Sequence, residues 1–149
     1  MPQTFTQFHY HIVFSTRHRA PTITPDIRQR VWEYLGGIVR AEGGIALTVG
    51  GVADHVHLLV TLRQTVEFPE FMRVLKSRSS AWAHEMFPAA GLWWQTGYGA
   101  FTVSHSGLKA VSEYIDGQEE HHAKQSFQDE FRLFLRKHGV EPDEEHMWG

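Results

Sequence analysis

Two segments of this chain alternate apolar and polar residues, and this constrains the fold more than any other feature. In FHYHIVFST, Phe8 to Thr16, the even positions Phe8, Tyr10, Ile12 and Phe14 are apolar, while His9, His11, Val13 and Ser15 are mostly polar. In HVHLLVTL, Val56, Leu58, Val60 and Leu62 share one face, and His55, His57, Leu59 and Thr61 share the other. Side chains alternate across a strand, so each segment predicts a strand with one buried face. The wholly apolar face belongs under helices, which turns the histidines to the opposite side.

The segments between supply the helices. Thr24-Pro25-Asp26 combines an N-cap residue, a proline at the first position and an acid in the first turn. Ile27, Val31, Tyr34, Leu35 and Ile38 then recur at helical spacing, up to a stop at Gly43-Gly44. Ile45 to Val52 predicts a strand joined to the His55–Leu62 strand by a turn at Ala53-Asp54. Glu67 to Phe87 predicts a second long helix, closed by Pro88. Trp93 to Ser104 has strand composition, interrupted by Gly97 and Gly99. A third helix is expected over about Gly107 to His122. A fourth is capped by Ser126, carries Phe127, Phe131, Phe134 and Leu135 on one stripe, and stops at Gly139. The order predicts an α+β, ferredoxin-like β-α-β-β-α-β antiparallel sheet with added C-terminal helices. The 149 residues, 42% of them hydrophobic, suit one domain over 1–149, with 125–149 as a C-terminal helical extension. The second sheet face is left to the later helices, a partner chain or a ligand.

Composition narrows the chemistry. The chain has no cysteine, so disulfides and thiolate zinc sites are excluded, and any metal must be held by His, carboxylate, amide or water. No apolar run approaches the ~18 residues of a membrane span, and MPQTFTQFHYH lacks the layout of a signal peptide. These features predict a cytoplasmic protein with no membrane partner. The formal charge of −3 is unevenly spread: residues 1–108 carry a net +2, and residues 109–149 a net −5. A basic patch is therefore compatible with an acidic total.

His55 and His57 stand about 6–7 Å apart along one strand face, close enough for two imidazoles to converge on one divalent ion. Strand histidines satisfied by neighbouring groups are the other reading. In SGLKAVSEYIDGQEEHH, Leu108, Val111 and Ile115 form a stripe, with Tyr114 and Gln118 flanking it one helical turn apart. A phenol there is either packing or a nucleophile. The glutamine is either a solvated helix residue or a metal ligand, and His121 lies near the same side.

Together, His55-Val56-His57 within DHVHLL, Tyr114 and Gln118, HYHIVFSTRHR at 9–19 and FMRVLKSRSS at 71–80 resemble the HUH single-tyrosine transposases of the insertion-sequence 200/605 group. That group includes the REP-associated tyrosine transposases. EEHHAKQSFQDEFRLFLRKHG resembles a segment common in one branch. The resemblance implies cutting and rejoining of single-stranded DNA at hairpin-bearing ends, through a 5′-phosphotyrosine with a free 3′-OH. It makes Tyr114 the nucleophile, and His55, His57 and Gln118 the ligands of Mg²⁺ or Mn²⁺. It also implies a homodimer whose active sites combine the histidines of one subunit with the tyrosine of the other. Arg17, Arg19, Arg73, Lys76 and Arg78 are candidates for the DNA backbone. Trp93, Trp94 and Tyr98 either stack unpaired bases or fill the core. The competing readings are a domesticated REP-associated nuclease, a non-catalytic nucleic-acid-binding module, and a zinc hydrolase using His55, His57 and His121 or His122.

Overall fold

The computed structural model describes residues 3–123 and 125–148. Its strands are β1 (Phe8–Ser15), β2 (Ile45–Val52), β3 (His55–Leu62) and β4 (Gly99–Thr102), paired antiparallel in the order β2-β3-β1-β4. Helices α1 (Pro25–Ala41) and α2 (Phe68–Met86) cover one sheet face. Helices α3 (Leu108–Asp116), α4 (Gln118–His122) and α5 (Phe127–Lys137) follow the last strand. This is the ferredoxin-like order read from the sequence, with helices added at the C-terminal end.

The alternation of β1 and β3 divides the molecule as expected. Ile12, Phe14, Val56, Leu58, Val60 and Leu62 join Val31, Leu35, Phe71, Met72 and Leu75 of α1 and α2 in the main core. Tyr34 and Trp82 stack at 4.3 Å between the two helices. The register sets Val13 opposite His57 and Ser15 opposite His55, so the polar halves of both strands share the second face. The later helices of the same chain cover that face. Thr48 of β2 and Ser112 of α3 share a 2.5 Å hydrogen bond, and Phe127 and Phe131 of α5 pack on Val13.

Two glycines in β2 allow this. A Cβ at Gly50 would stand 2.9 Å from both the carbonyl oxygen and Cγ2 of Ile115, so only glycine lets α3 lie so close. Gly51 has φ +156°, and a Cβ there would stand 2.3 Å from the carbonyl oxygen of His55.

Two sequence expectations change in detail. The strand expected from Trp93 shrinks to Gly99–Thr102, with one isolated bridge between Trp94 and Thr16. Gln95 takes over part of the ladder, because its side-chain oxygen accepts from the Ser15 amide while its own amide donates to the Ser15 carbonyl. The helix expected over 107–122 breaks at Gly117, a weak helix former, into α3 and α4. The Ser126 cap of α5 forms as read, accepting from the Asp129 amide. Among the described residues, no helix is long and apolar enough to cross a membrane.

Candidate metal centre and tyrosine site

The second sheet face carries a row of imidazoles. His9 and His11 of β1 and His55 and His57 of β3 are all buried, and burial without partners is costly for such groups. Their partners explain how they are kept. His9 Nδ1 meets Thr61 Oγ1 at 2.8 Å. His57 Nδ1 lies 2.8 Å from His11 Nε2, and His55 Nδ1 lies 2.8 Å from Asp54 Oδ1. A fifth ring, His122 from the end of α4, holds the Gln125 carbonyl through Nδ1 at 2.6 Å.

With each Nδ1 engaged in this way, three Nε2 atoms turn toward one place. There they surround the carboxylate of Glu130 from α5. Oε1 lies 3.1 Å from His57 Nε2 and 3.5 Å from His55 Nε2, and Oε2 lies 3.1 Å from His122 Nε2. Gln118 Oε1 stands 3.0 Å from His55 Nε2, and the Gln118 amide reaches back to the Tyr114 carbonyl. Tyr114 donates its phenol proton to Glu130 Oε2, with His121 Nε2 at 3.5 Å from the phenol oxygen. Tyr114 and Gln118 therefore lie beside the histidine pair of their own chain, although a glycine break separates them.

The donor atoms of His55, His57, His122 and Glu130 all lie within 4.8 Å of one another. Bonds of about 2.1–2.2 Å to a divalent ion give ligand-to-ligand edges of about 3.0–3.5 Å, the distances at which Glu130 faces the three imidazole nitrogens. His122 Nε2 is buried and makes no hydrogen bond, as suits a lone pair meant for a cation. Each ring is also oriented from behind, by Asp54, His11 or the Gln125 carbonyl, the outer support that metal-binding histidines usually have. These residues can hold a divalent metal ion.

The electrostatics point the same way. Burial opposes protonation of His55, but hydrogen bonds to Asp54 and Glu130 push it up to about 9. Burial pulls His57 down to about 4 and His11 down to about 3. Burial alone would raise Glu130, yet His122, His55 and His57 hold it far below the usual carboxylate range. Without an ion, the cluster draws a proton to play the cation's part. Burial and the bond to Glu130 push Tyr114 well above an ordinary phenol.

The sequence reading did not single out Glu130. Its signal was available: it stands three residues after Phe127 on the stripe that includes Phe131 and Phe134, a charge where that face should be apolar. The sequence reading puts His121 near the Tyr114 side and gives His121 or His122 as a zinc ligand. His122 joins the cluster, and His121 flanks Tyr114.

The basic candidates separate. Arg17 and Arg19 form a short turn after β1, at the His55 end of the sheet, where His18 and Arg19 adopt φ of 59° and 56°. Arg73 and Arg78 lie on α2, which packs on the opposite face. Arg73 is paired with Glu70, and Arg78 lies 3.4 Å from Glu42. Lys76 is tied to the carbonyls of Gln95 and Gly97, and burial lowers it to about 8. Trp94 packs into the core, while Trp93 stays 52% exposed beside the Arg17 turn, its carbonyl accepting from the Arg17 amide.

Comparison with known proteins accords with this arrangement. The chain is 25% identical to the ISDra2 transposase TnpA of Deinococcus radiodurans over 120 residues, covering 76% of this chain and 86% of that protein. It is 28% identical to the transposase of insertion sequence element IS200 of Salmonella typhimurium over 117 residues, covering 74% and 76% respectively. A transposase candidate structure from Deinococcus radiodurans R1 superposes with a TM-score of 0.65 at 22% identity, over 79% of this chain and 95% of that one. A REP-associated tyrosine transposase bound to a REP hairpin superposes with a TM-score of 0.59 at 13% identity, over 82% and 73%. The family described as "Transposase IS200 like" matches residues 4–118, a segment running from before β1 through the histidine pair and Tyr114 to Gln118. With more than two-thirds of its length inside that match, the chain belongs to the IS200-like transposase family.

Proposed function

We propose that this protein cuts and rejoins single-stranded DNA through a covalent tyrosine link, with Tyr114 as nucleophile and His55, His57 and Gln118 as ligands of Mg²⁺ or Mn²⁺. The observation that carries this reading is the meeting of a phenol, two imidazoles and a glutamine carbonyl in one buried cluster within one chain. A divalent ion at these donors would supply Lewis-acid polarisation of a phosphodiester.

The chain's own groups do the rest. The Tyr114 phenol loses its proton and attacks phosphorus. The bond to the 3′-oxygen breaks, and that oxygen leaves with its electron pair and takes up a proton. The product is a 5′-phosphotyrosine and a free 3′-OH. Because the new bond keeps the phosphodiester's energy, rejoining runs the same step backwards without a nucleotide cofactor. Asp54 and His11 orient His55 and His57 throughout. Arg17 and Arg19, at the His55 end of the sheet, are the best-placed candidates for the DNA backbone, with Trp93 alongside to stack an unpaired base. Hairpin-bearing ends are the expected substrate, and the REP-hairpin complex of a structural neighbour supports that choice.

The reading needs no exchange of tyrosine helices between two chains, because one chain brings Tyr114 to its own histidines. The test is to incubate the protein with Mg²⁺ or Mn²⁺ and hairpin-bearing single strands taken from DNA flanking its gene. A denaturation-resistant adduct at the 5′ end of the downstream fragment is expected, and Tyr114→Phe should form none. An adduct of equal yield with Tyr114→Phe would refute the assignment of the nucleophile.

A further inference from the structure

The cluster poses a problem of access. His55 and His57 are 0% exposed, Gln118 is 1% and Glu130 is 2%, so a phosphodiester cannot reach the Nε2 atoms while α5 is seated. We infer that α5 is a built-in occupant of the DNA site, and that the Glu130 carboxylate stands where the scissile phosphate must go. The inference rests on the tyrosine-cleavage reading above.

The geometry is that of a substrate mimic. A phosphate about to be cut must place one oxygen among the metal ligands and its phosphorus beside the attacking phenol. Glu130 does the equivalent with a carboxylate. Oε1 faces His57 and His55 at 3.1 and 3.5 Å, and Oε2 accepts from the Tyr114 phenol while facing His122 at 3.1 Å. Both groups are anions that present paired oxygens, so they compete for one set of partners. The open groove beside Tyr114 is lined by Glu113, Glu120 and Asp129, which repel a DNA backbone in this arrangement.

The helix is also attached as a separable part. Its anchors Phe127 and Phe131 pack on Val13, with Leu135, Met147 and Trp148 around them, in a cluster distinct from the main core. The family match ends at Gln118, before α5 begins. Releasing α5 would expose the histidines, Gln118 and Tyr114 without opening the core under α1 and α2. The two states differ in their ligands. With α5 seated, Glu130 completes the set around an ion. With α5 released, its position falls to a phosphate oxygen.

This predicts changes of opposite sign in one variant. In full-length Glu130→Ala, affinity for a fluorescein-labelled single strand of mixed sequence, followed by anisotropy, should rise about tenfold, because no occupant competes. Affinity for Mn²⁺ alone, followed by calorimetry, should fall about tenfold, because one ligand is gone. Phe131→Ala, which weakens the anchor and leaves the Phe127 ring stacked on His55, should also bind the strand more tightly. In the wild type, adding the strand should speed amide hydrogen exchange in α5. If Glu130 served the reaction directly, Glu130→Ala would lose strand affinity and cleavage together, and the inference would fall. Unchanged strand affinity in both variants would overturn it equally. Tighter strand binding with no adduct in any variant would sustain the α5 inference and count against the tyrosine reading. A wild-type adduct whose rate Glu130→Ala leaves unchanged would do the reverse.

Discussion

Gly50→Ala tests how the fold delivers Tyr114. The added Cβ would stand 2.9 Å from both the carbonyl oxygen and Cγ2 of Ile115, against ordinary contacts of 3.4–4 Å. The oxygen is backbone and cannot rotate away, so α3 must lift from β2 by about half an ångström. Overpacking of this kind costs about 1–3 kcal/mol. At about 2–4 °C per kcal/mol for a chain of this size, the midpoint should fall by several degrees. Tyr114 precedes Ile115 and moves with it, whereas His55 and His57 ride on β3 and stay. Displacement by a full ångström costs about a hundredfold in rate, so half of that should cost about tenfold. Thermal melts, Mn²⁺ titration and single-turnover adduct formation together read the result. A lower midpoint, a slower adduct and nearly unchanged Mn²⁺ affinity are expected. Wild-type stability and rate would show that α3 does not depend on this close approach. A loss of Mn²⁺ binding as large as that from removing a histidine would show that the two halves of the site are not positioned independently.

Other changes probe the remaining parts. Asp54→Asn removes the carboxylate behind His55 Nδ1 and should weaken Mn²⁺ binding about 10–100-fold with little loss of fold; equal affinity would deny Asp54 its orienting role. Mixing His57→Ala with Tyr114→Phe chains should restore no adduct, because the proposed site draws Tyr114 and the histidines from one chain; recovery of activity in the mixture would argue for exchange between chains. The metal-free protein should be most stable near pH 6.5. His11 and His57, lowered to about 3 and 4, are protonated in the unfolded chain first, so stability falls as the pH drops below 6.5. His55, raised to about 9, contributes stability that is full below 6.5 and lost as the pH rises toward 9. Melts in chelator from pH 5 to 7.5 check this, below the point where Lys76, lowered to about 8, is half-deprotonated, and a flat profile would contradict it.

The sheet and its two faces were legible because alternation is a local property with a global consequence. Once Val56, Leu58, Val60 and Leu62 are assigned to the core, His55 and His57 have only one side left to occupy. The helix starts at Thr24-Pro25 and Ser126 were readable for similar reasons, although Thr24 bonds the Asp26 carboxylate and caps no amide. The strand after Trp93 was overdrawn. Its composition suits a strand, but the Gln95 side chain takes the Ser15 amide, a substitution that no propensity scale records. Arg73, Lys76 and Arg78 on α2 are candidates for the DNA backbone by spacing alone. Pairing with Glu70 and capture of Lys76 by two carbonyls depend on which groups the fold brings near, and spacing does not carry that information.

The site itself was half legible, and the boundary has a physical cause. Residues that a strand or helix presents at fixed intervals, such as the histidine pair and Tyr114 with Gln118, can be placed on a common face from spacing alone. Glu130 and His122 reach the cluster only because α5 folds back over the sheet, a long-range event governed by Phe127 and Phe131 finding Val13. One local clue did exist. A buried carboxylate is stable only when cations or donors surround it, so a glutamate on the apolar stripe of a helix implies a polar counterpart on the surface that the stripe meets. The row of imidazoles was the only polar strip already predicted on the uncovered sheet face. Joining those two anomalies, an acid where the helix should be greasy and histidines where the strand should be, would have docked α5 onto the site before any coordinates were known.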